Sequence, residues 1–268
     1  MFNKNIICCG ITGNFGKFHS KISINYGTKI VCGLNLFKNG GIIYSKPILS
    51  SCLKSIKCCK CKISIIFVPN IYCKKLILEN IFSGIKIIVC ITENINNFDM
   101  LKIKFFCKLY NIIFIGPNTP GIILPFNKLR LGIFPLKIIK NGFLSIISRS
   151  GTLTYEAIKE SNKKKIGQYL CFGIGGDIII GIDYKNILNI FNNLKKILII
   201  GEIGGNFEKK IFYFRKKNIL FYIAGIFSPL KKKMGHAGAI NEKNNDILKK
   251  IKKIKKKFVI INSLNNLI

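Results

Sequence analysis

One of the two histidines of the chain, His236, lies between glycines in the segment 234–239 (MGHAGA). Neither a helix nor a strand pattern continues through this segment, and Gly235 and Gly238 let the backbone approach a ligand closely. A neutral imidazole nitrogen is a competent nucleophile near neutral pH, so the segment predicts a group-transfer site. A histidine that only fills a turn is the alternative that this spacing leaves open.

A glycine-rich turn follows the first apolar run of the chain. Gly10, Gly13 and Gly16 have the spacing of a turn that leads from a strand into a helix and binds phosphate through backbone amides. A dinucleotide dehydrogenase has the same spacing, but the second apolar run ends without an Asp or Glu for a ribose hydroxyl, which disfavours that class. Lys38 follows instead; it suits another phosphate, and a solvated surface lysine is the alternative.

Polar residues follow other predicted strands, at the ends where parallel sheets bind their ligands. Glu93 and Asn118 follow two of these strands, and Glu202 follows a third. Because the chain has only 11 acidic residues, a glutamate at a strand end is informative. Residues 150–152 (SGT) open a predicted helix whose first amides and dipole form a second anion site.

The elements that must position these residues follow an α/β pattern. Short β-branched runs alternate with segments long enough for a crossover helix, which predicts two wound domains with mostly parallel sheets. The first series of runs is 5–10, 29–33, 63–68, 85–91 and 112–115, and the second is 143–147, 168–174, 196–200, 220–224 and 258–261. We therefore expect a first domain over 1–120, a linker rich in Pro, Gly and Lys over 121–142, and a second domain over 143–268.

The net charge of +33 would ordinarily indicate nucleic acid or an anionic membrane surface as a partner. The basic residues are nearly all lysines spread along every segment, which indicates compositional drift rather than a selected patch. No helix-turn-helix, zinc-finger or RNA-stacking motif accompanies them. We expect no specific nucleic-acid partner, only weak adhesion at low salt.

The 11 cysteines include a cluster at 52, 58, 59 and 61 that has no second half and no nearby histidine, so no metal site is expected. The odd count, the chain length and the lack of a signal peptide predict reduced thiols and a cytoplasmic protein. Without an uncharged apolar run of membrane-spanning length, we expect no membrane association. A basic membrane-contact helix at the C-terminus is the alternative.

Motifs spread over nearly the whole chain resemble those of the α subunits of succinyl-CoA synthetases. They occur in the family's order and approximate spacing: 10–16 (GITGNFG) with 18–20 (FHS), 91–93 (ITE), 116–118 (GPN), 148–156 (SRSGTLTYE), 173–177 (GIGGD), 201–205 (GEIGG) and 234–239 (MGHAGA). The resemblance implies a Rossmann-like CoA-binding domain followed by a flavodoxin-like parallel-sheet domain. It implies a tricarboxylic acid cycle ligase that interconverts succinyl-CoA, phosphate and nucleoside diphosphate with succinate, CoA and nucleoside triphosphate.

The resemblance also implies catalytic roles. His236 matches the phosphohistidine, Glu202 matches an acid that hydrogen-bonds it, and Glu93 matches a second such acid near CoA. The helix N-terminus that would hold the phosphoryl group is formed by Ser150, Gly151 and Thr152.

The residues that match the family's CoA positions are Thr12, Gly13, Asn14, Phe15, Lys38, Ile91, Thr92 and Glu93. Tyr155 and Asn118 match residues near the carboxylate substrate, although a packing role at the domain interface is an equally open interpretation of Tyr155. The family usually has Gln at the position of Phe15, Asn39 interrupts its Gly-Lys-Gly-Gly stretch, and the glycine-rich segment after His236 is shortened here.

The implied partner is a β subunit of ATP-grasp type, which would carry ATP or GTP and Mg²⁺ in a heterodimer or heterotetramer. A ligase for another small acid such as malate or acetate is an alternative with the same fold. A degraded pseudoenzyme and a basic nucleic-acid-binding protein are alternatives of other classes.

Overall fold

The computed structural model describes residues 4–35, 40–202, 218–225, 251, 252 and 254–267. Two seven-stranded, mostly parallel sheets run through this part of the chain, with helices between their strands. The predicted α/β fold with two parallel-sheet halves is confirmed. Most of the apolar runs form strands because they are buried on both faces of their sheet, as in β-structure covered by helices, whereas β13 alternates buried and half-buried residues.

The strands of the first sheet are β1 (Ile6–Cys9), β2 (Ile30–Leu34), β3 (Ile42–Ile43), β4 (Lys46–Leu49), β5 (Ile63–Ile66), β6 (Ile87–Cys90) and β7 (Ile113–Ile115). They lie in the order β3-β4-β2-β1-β5-β6-β7, with β3 antiparallel to β4 and the other pairs parallel. The helices of this half are α1 (Asn14–Tyr26), α2 (Cys52–Cys59), α3 (Asn70–Phe82) and α4 (Asn97–Leu109).

The strands of the second sheet are β8 (Gly121–Leu124), β9 (Leu129–Gly132), β10 (Asn141–Ser148), β11 (Gln168–Gly173), β12 (Lys196–Glu202), β13 (Ile219–Ala224) and β14 (Val259–Ile260). They lie in the order β14-β13-β12-β10-β11-β8-β9, and the pairs formed by β8 are antiparallel. The helices are α5 (Gly151–Lys163) and α6 (Tyr184–Ile190); short 3-10 turns lie at Pro125–Asn127, Leu136–Ile138 and Leu264–Asn266.

The segment 121–142, for which the sequence predicted a linker, contributes β8 and β9 to the second sheet. The apolar residues of β8 are buried, and β8 pairs with β11 while β9 pairs with β8. Each strand has four residues, and Pro125 and Gly132 bound them, so the sequence shows only brief apolar pieces there. The strand β8 forms against β11, a partner some 50 residues further along the chain that local composition does not show, and β9 then pairs with β8.

The cysteines lie mostly in the core of the first half and act there as small apolar side chains. Cys8, Cys32 and Cys90 are buried in strands, and burial raises the pKa of the Cys8 thiol to about 12. Among the described residues no group of three or more Cys, His, Asp or Glu side chains fits a metal ion. Nor does any helix in the described ranges combine the length and apolar character needed to cross a bilayer.

Candidate functional site

The site lies in a cavity of about 600 Å³ where the carboxyl ends of strands from both sheets meet. Segments that follow β5, β6, β7 and β10 line it. The sequence-predicted residues in its wall are Phe15, Ile91, Thr92, Glu93, Asn118, Gly151, Thr152 and Tyr155. Thr12 and Gly13 line a smaller adjoining pocket of about 180 Å³ that shares the wall 67–69 with it. Two predicted residues, His236 and Lys38, lie outside the described residues.

The glycine turn is as compact as its spacing predicts. Gly10 has a φ of +90°, and α1 begins at Asn14 with Gly13 as its N-cap residue. Because Gly13 has no side chain, no side-chain oxygen at the N-cap position accepts a hydrogen bond from the first amides of α1. These amides are therefore available to bind an anion. Thr12 Oγ1 accepts a hydrogen bond of 2.8 Å from Asn35 Nδ2, which joins the turn to the end of β2.

The close contact of α1 with β1 depends on Gly16. A Cβ atom at Gly16 would lie 2.2 Å from the carbonyl oxygen of Gly10, whereas a Cβ at Gly13 would have its nearest such neighbour at 3.6 Å. We expect Gly16→Ala to lower the free energy of unfolding by about 1–3 kcal/mol, because the backbone of the turn must move. Urea titration of both variants measures this. Gly13→Ala is the matched control, and equal destabilisation by the two changes would contradict the close-contact argument.

Phe15 stands at the rim of the cavity, 53% exposed. Its ring meets that of Phe67 edge to face, with centroids 5.7 Å apart, and meets His19 in the same way at 4.5 Å. The apolar ring therefore extends a cluster of rings on the first half rather than offering a hydrogen-bonding amide to a ligand.

The segment after β6 contributes further residues of the first half to the cavity wall. Ile91 is buried, Thr92 Oγ1 donates a 2.6 Å hydrogen bond to the carbonyl of Val68, and Glu93 is exposed in the cavity. The carbonyl of Thr92 accepts a hydrogen bond from the amide of Asn118. Both the side chain and the backbone of Thr92 hold this segment in place, and Glu93 is its exposed acidic group.

Asn118 has a positive φ of 56° and joins the two halves. Its Nδ2 donates a 3.0 Å hydrogen bond to Asp177 Oδ1, while Asp177 Oδ2 accepts one of 3.1 Å from the amide of Asn94. The side-chain amide of Asn118 is thus engaged with a carboxylate from the loop after β11. Asp177 was not among the predicted site residues, and it fixes the position of Asn118.

The N-terminus of α5 faces the cavity. Ser150 is its N-cap residue, and Ser150 Oγ accepts a hydrogen bond of 3.3 Å from the amide of Leu153. Ser150 Oγ also lies 3.2 Å from Thr152 Oγ1. Gly151 and Thr152 line the cavity, so the positive end of the α5 dipole points toward any anion held there.

Tyr155, one turn further along α5, both packs and lines the cavity. Its ring meets Phe134 edge to face with centroids 5.7 Å apart. Burial raises the pKa of Tyr155, and the nearby Arg130 guanidinium opposes this shift. The hydroxyl therefore remains protonated at neutral pH and can donate a hydrogen bond. Both interpretations of this residue that the sequence left open agree with its position.

Glu202, at the end of β12, is buried and forms an ion pair with Arg149. Arg149 Nη1 lies 2.6 Å from Glu202 Oε1. The guanidinium also donates to the carbonyls of Gly175 (3.2 Å) and Asp177 (2.9 Å), so its plane is fixed. Arg149 lines the cavity while Glu202 lies behind it.

Arg149 was not among the site residues predicted from the sequence. Its signal was its rarity, because the chain uses lysine almost everywhere and has only three arginines. Arg149 and Arg130 are both buried. The planar guanidinium of arginine forms several hydrogen bonds in fixed directions, which the ammonium group of lysine does not. An arginine in a lysine-rich chain therefore indicates a position that needs a fixed hydrogen-bond geometry.

Solved structures with a similar fold support this architecture. An ATP citrate lyase variant from Methanosaeta concilii in complex with (3S)-citryl-CoA matches with a TM-score of 0.84 and 20% identity, over 98% of this chain and 48% of that one. A dinucleotide-forming acetyl-coenzyme A synthetase from Ca. Korarchaeum cryptofilum matches with a TM-score of 0.79 and 18% identity, over 97% and 58%. The chain thus spans about half the length of these proteins, and at these identities the likeness concerns the fold.

Sequence comparisons are more specific. A CoA binding domain model matches residues 2–94. A succinate–CoA ligase, ADP-forming, α subunit 2 from Archaeoglobus fulgidus is 42% identical over 243 residues, 88% of this chain and 84% of that protein. The α subunits from Aquifex aeolicus and Staphylococcus aureus are 40% and 36% identical and are covered over 80% and 81% of their lengths. The chain, with its CoA-binding domain, belongs to the family of succinate–CoA ligase α subunits.

Proposed function

We propose that this chain is the α subunit of a succinate–CoA ligase that works through a phosphohistidine at His236. Its reaction converts succinyl-CoA, phosphate and a nucleoside diphosphate reversibly to succinate, CoA and a nucleoside triphosphate. The observation that carries the proposal is that four candidate CoA positions and the N-terminus of α5 line the same cavity; the four are Phe15, Ile91, Thr92 and Glu93. Family membership gives this arrangement its chemistry.

The first half of the chain binds CoA in this proposal. The amides of the turn 12–15 and the N-terminus of α1 face the anionic groups of CoA, and the wall 91–93 contacts the rest of the molecule. Lys38, outside the described residues, would neutralise a further phosphate. Phe15 contributes an apolar surface and no hydrogen bond.

The bond changes then occur between the two walls. Phosphate attacks the thioester carbonyl, the bond to sulfur breaks, and CoA leaves as its thiol while succinyl phosphate forms. A ring nitrogen of His236 attacks the phosphorus, and succinate leaves with the electrons of the broken P–O bond. Phosphohistidine finally transfers its phosphoryl group to the nucleoside diphosphate. The chain contributes mainly positioning and electrostatic stabilisation.

The N-terminus of α5 stabilises the phosphoryl group on His236. An anion at a helix N-terminus gains ~0.3–1 kcal/mol, or ~2 kcal/mol when partly buried. Hydrogen bonds from amides to a charged group add ~1.5–3 kcal/mol each. In this mechanism Glu202 takes the role of the family's histidine-bonding acid and would stabilise the positive ring of His236, while Arg149 fixes the position of that carboxylate.

The nucleotide site belongs to a β-subunit partner, which supplies ATP or GTP and Mg²⁺ in a heterodimer or heterotetramer in the cytoplasm. In the described residues no carboxylate cluster fits a metal ion, and the glycine turn of this chain is assigned to CoA. We expect this partner to cover a large surface of the chain, because stable subunit interfaces bury roughly 1,200–2,000 Å² or more.

We expect the purified chain alone to have no ligase activity, because nucleotide chemistry requires the partner. Adding the β subunit restores turnover. A coupled assay of CoA release from succinyl-CoA with phosphate and nucleoside diphosphate measures this. In the reverse direction, an assay of thioester formation from CoA and nucleoside triphosphate with succinate, malate or acetate identifies the acid. Full activity of the isolated chain would refute the assignment of the nucleotide site.

A further inference from the structure

Arg130 is a buried cation that reaches from one half of the molecule into the other. It lies on β9 of the second sheet and is 1% exposed. Its Nη1 donates to the carbonyl of His19 (3.1 Å) and to Ser23 Oγ (2.8 Å), both on α1 of the first half. Its Nε donates to the carbonyl of Phe134 at 2.7 Å. One guanidinium thus holds α1 against the second sheet.

His19 completes this contact through its ring. Arg130 Nη2 lies 3.1 Å from His19 Nδ1, and burial, together with the neighbouring guanidinium, lowers the pKa of His19 to about 4. The ring is therefore neutral at physiological pH. Since a guanidinium only donates, Nδ1 is the acceptor and the proton is on Nε2. The His19 ring lies 4.5 Å from that of Phe15, at the rim of the cavity.

The chemistry of Arg130 argues against a purely stabilising role. None of the ion pairs in the described ranges involves Arg130; its acceptors are carbonyls, a hydroxyl and a neutral ring. Burying a charge in this way is costly, and apolar residues of similar volume are often as stable or more so. Compared with an apolar side chain, the planar guanidinium forms several hydrogen bonds in fixed directions.

The position of this contact relates it to the cavity. α1 carries the turn 12–15 at its N-terminus, and Arg130 holds the same helix at His19 and Ser23, one to two turns further along. On its other side Arg130 lies close enough to Tyr155 to oppose the effect of burial on that hydroxyl. Arg130 therefore lies between α1, which carries the turn of the first half, and Tyr155, which lines the cavity from the second half.

We propose that Arg130, with His19 as its neutral acceptor, is a positioning residue that sets the location of the CoA-binding turn relative to Tyr155 and the N-terminus of α5. This rests on the proposed ligase function. It assigns Arg130 to the steps that use CoA, and it leaves phosphorylation of His236 by nucleoside triphosphate independent of Arg130.

The experiment compares these two half-reactions in the full chain with its β subunit. We expect Arg130→Met to raise the CoA dissociation constant by about tenfold or more, while the rate of phosphorylation from nucleoside triphosphate changes by less than about twofold. His19→Phe removes the acceptor of Arg130 and should weaken CoA binding as Arg130→Met does. His19→Asn keeps an acceptor near the Nδ1 position and should recover most of the CoA affinity. Lys128→Met, an exposed neighbour on the same hairpin, is the control.

Hydrogen exchange of the full chain provides a readout that does not depend on ligase activity. Faster exchange of the amides of α1 in Arg130→Met, with the exchange of α5 unchanged, supports the positioning role of Arg130. Failure of the wild type to bind CoA would instead count against the proposed ligase function. Equal loss of both half-reactions, or unchanged α1 exchange together with unchanged CoA affinity, overturns the positioning role. If Arg130→Met does not fold, the His19→Phe and His19→Asn pair decides.

Discussion

We expect the replacement of His236 by asparagine to abolish the uptake of phosphate from nucleoside triphosphate by this chain with its proposed β subunit. Asparagine has no ring nitrogen that can attack phosphorus, so no covalent intermediate forms. Incubation with nucleoside triphosphate labelled in its γ-phosphate, followed by gel separation, measures the loss. In the unaltered protein the label should be stable in base and labile in acid, as expected for a phosphorus–nitrogen bond.

The chain has its own matched control for this experiment, because it contains only two histidines. His19 is neutral and hydrogen-bonded through Nδ1 to Arg130, and it is assigned to positioning rather than to phosphoryl transfer. His19→Asn should therefore retain the label. Labelling that survives His236→Asn and disappears with His19→Asn would reverse the assignment of the two residues.

The second large effect concerns the buried pair of Glu202 and Arg149. We expect Glu202→Gln to slow phosphorylation on the order of 10²-fold, because in the proposed mechanism a neutral amide would stabilise the positive ring of His236 far less than a carboxylate does. The CoA dissociation constant should change by less than about twofold, since Glu202 lies behind the cavity wall on the second half. Rapid-quench labelling and calorimetric CoA titration give the two numbers.

Stability measurements separate this role from a structural one. Arg149→Met leaves the buried carboxylate without its guanidinium and should lower the free energy of unfolding by about 3–5 kcal/mol. Replacing both residues by methionine should restore much of that stability, because two apolar side chains can pack where the pair did. Phosphorylation must stay slow in this double variant. If the double variant regained both its stability and a fast rate of phosphorylation, Glu202 would serve only to compensate the charge of Arg149.

The strands that the sequence predicted well are those whose burial is local and continuous. The residues of β1 and β6 are apolar throughout, β5 has Ser64 as its one polar residue, and all three strands lie in the middle of a parallel sheet, so composition alone identifies them. The two residues of β3 and the four of β9 carry no such pattern. These short strands form because a neighbouring strand presents free backbone groups, and that neighbour is known only from the fold.

The candidate site divides in the same way. Motifs placed the glycine turn, the wall 91–93 and the start of α5, since each is a short segment with its own chemistry. Asp177 and Arg149 were missed because their roles lie in contacts with residues far away in the chain, Asn118 and Glu202. Arginine in a chain that otherwise uses lysine was the one available sign.

The pairing of β8 with β11 also determines the order in which the molecule can be completed. A chain made from its N-terminus has the whole first sheet once residue 115 has left the ribosome. However, α1 packs against β9, and β9 is joined to the second sheet through β8 and β11, which ends at Gly173. Some 60 further residues must therefore be synthesised before α1 can pack against β9 in the second sheet. At roughly 5–20 residues per second this takes seconds. Until then the face of α1 that will receive Arg130 is open to chaperones and to other chains.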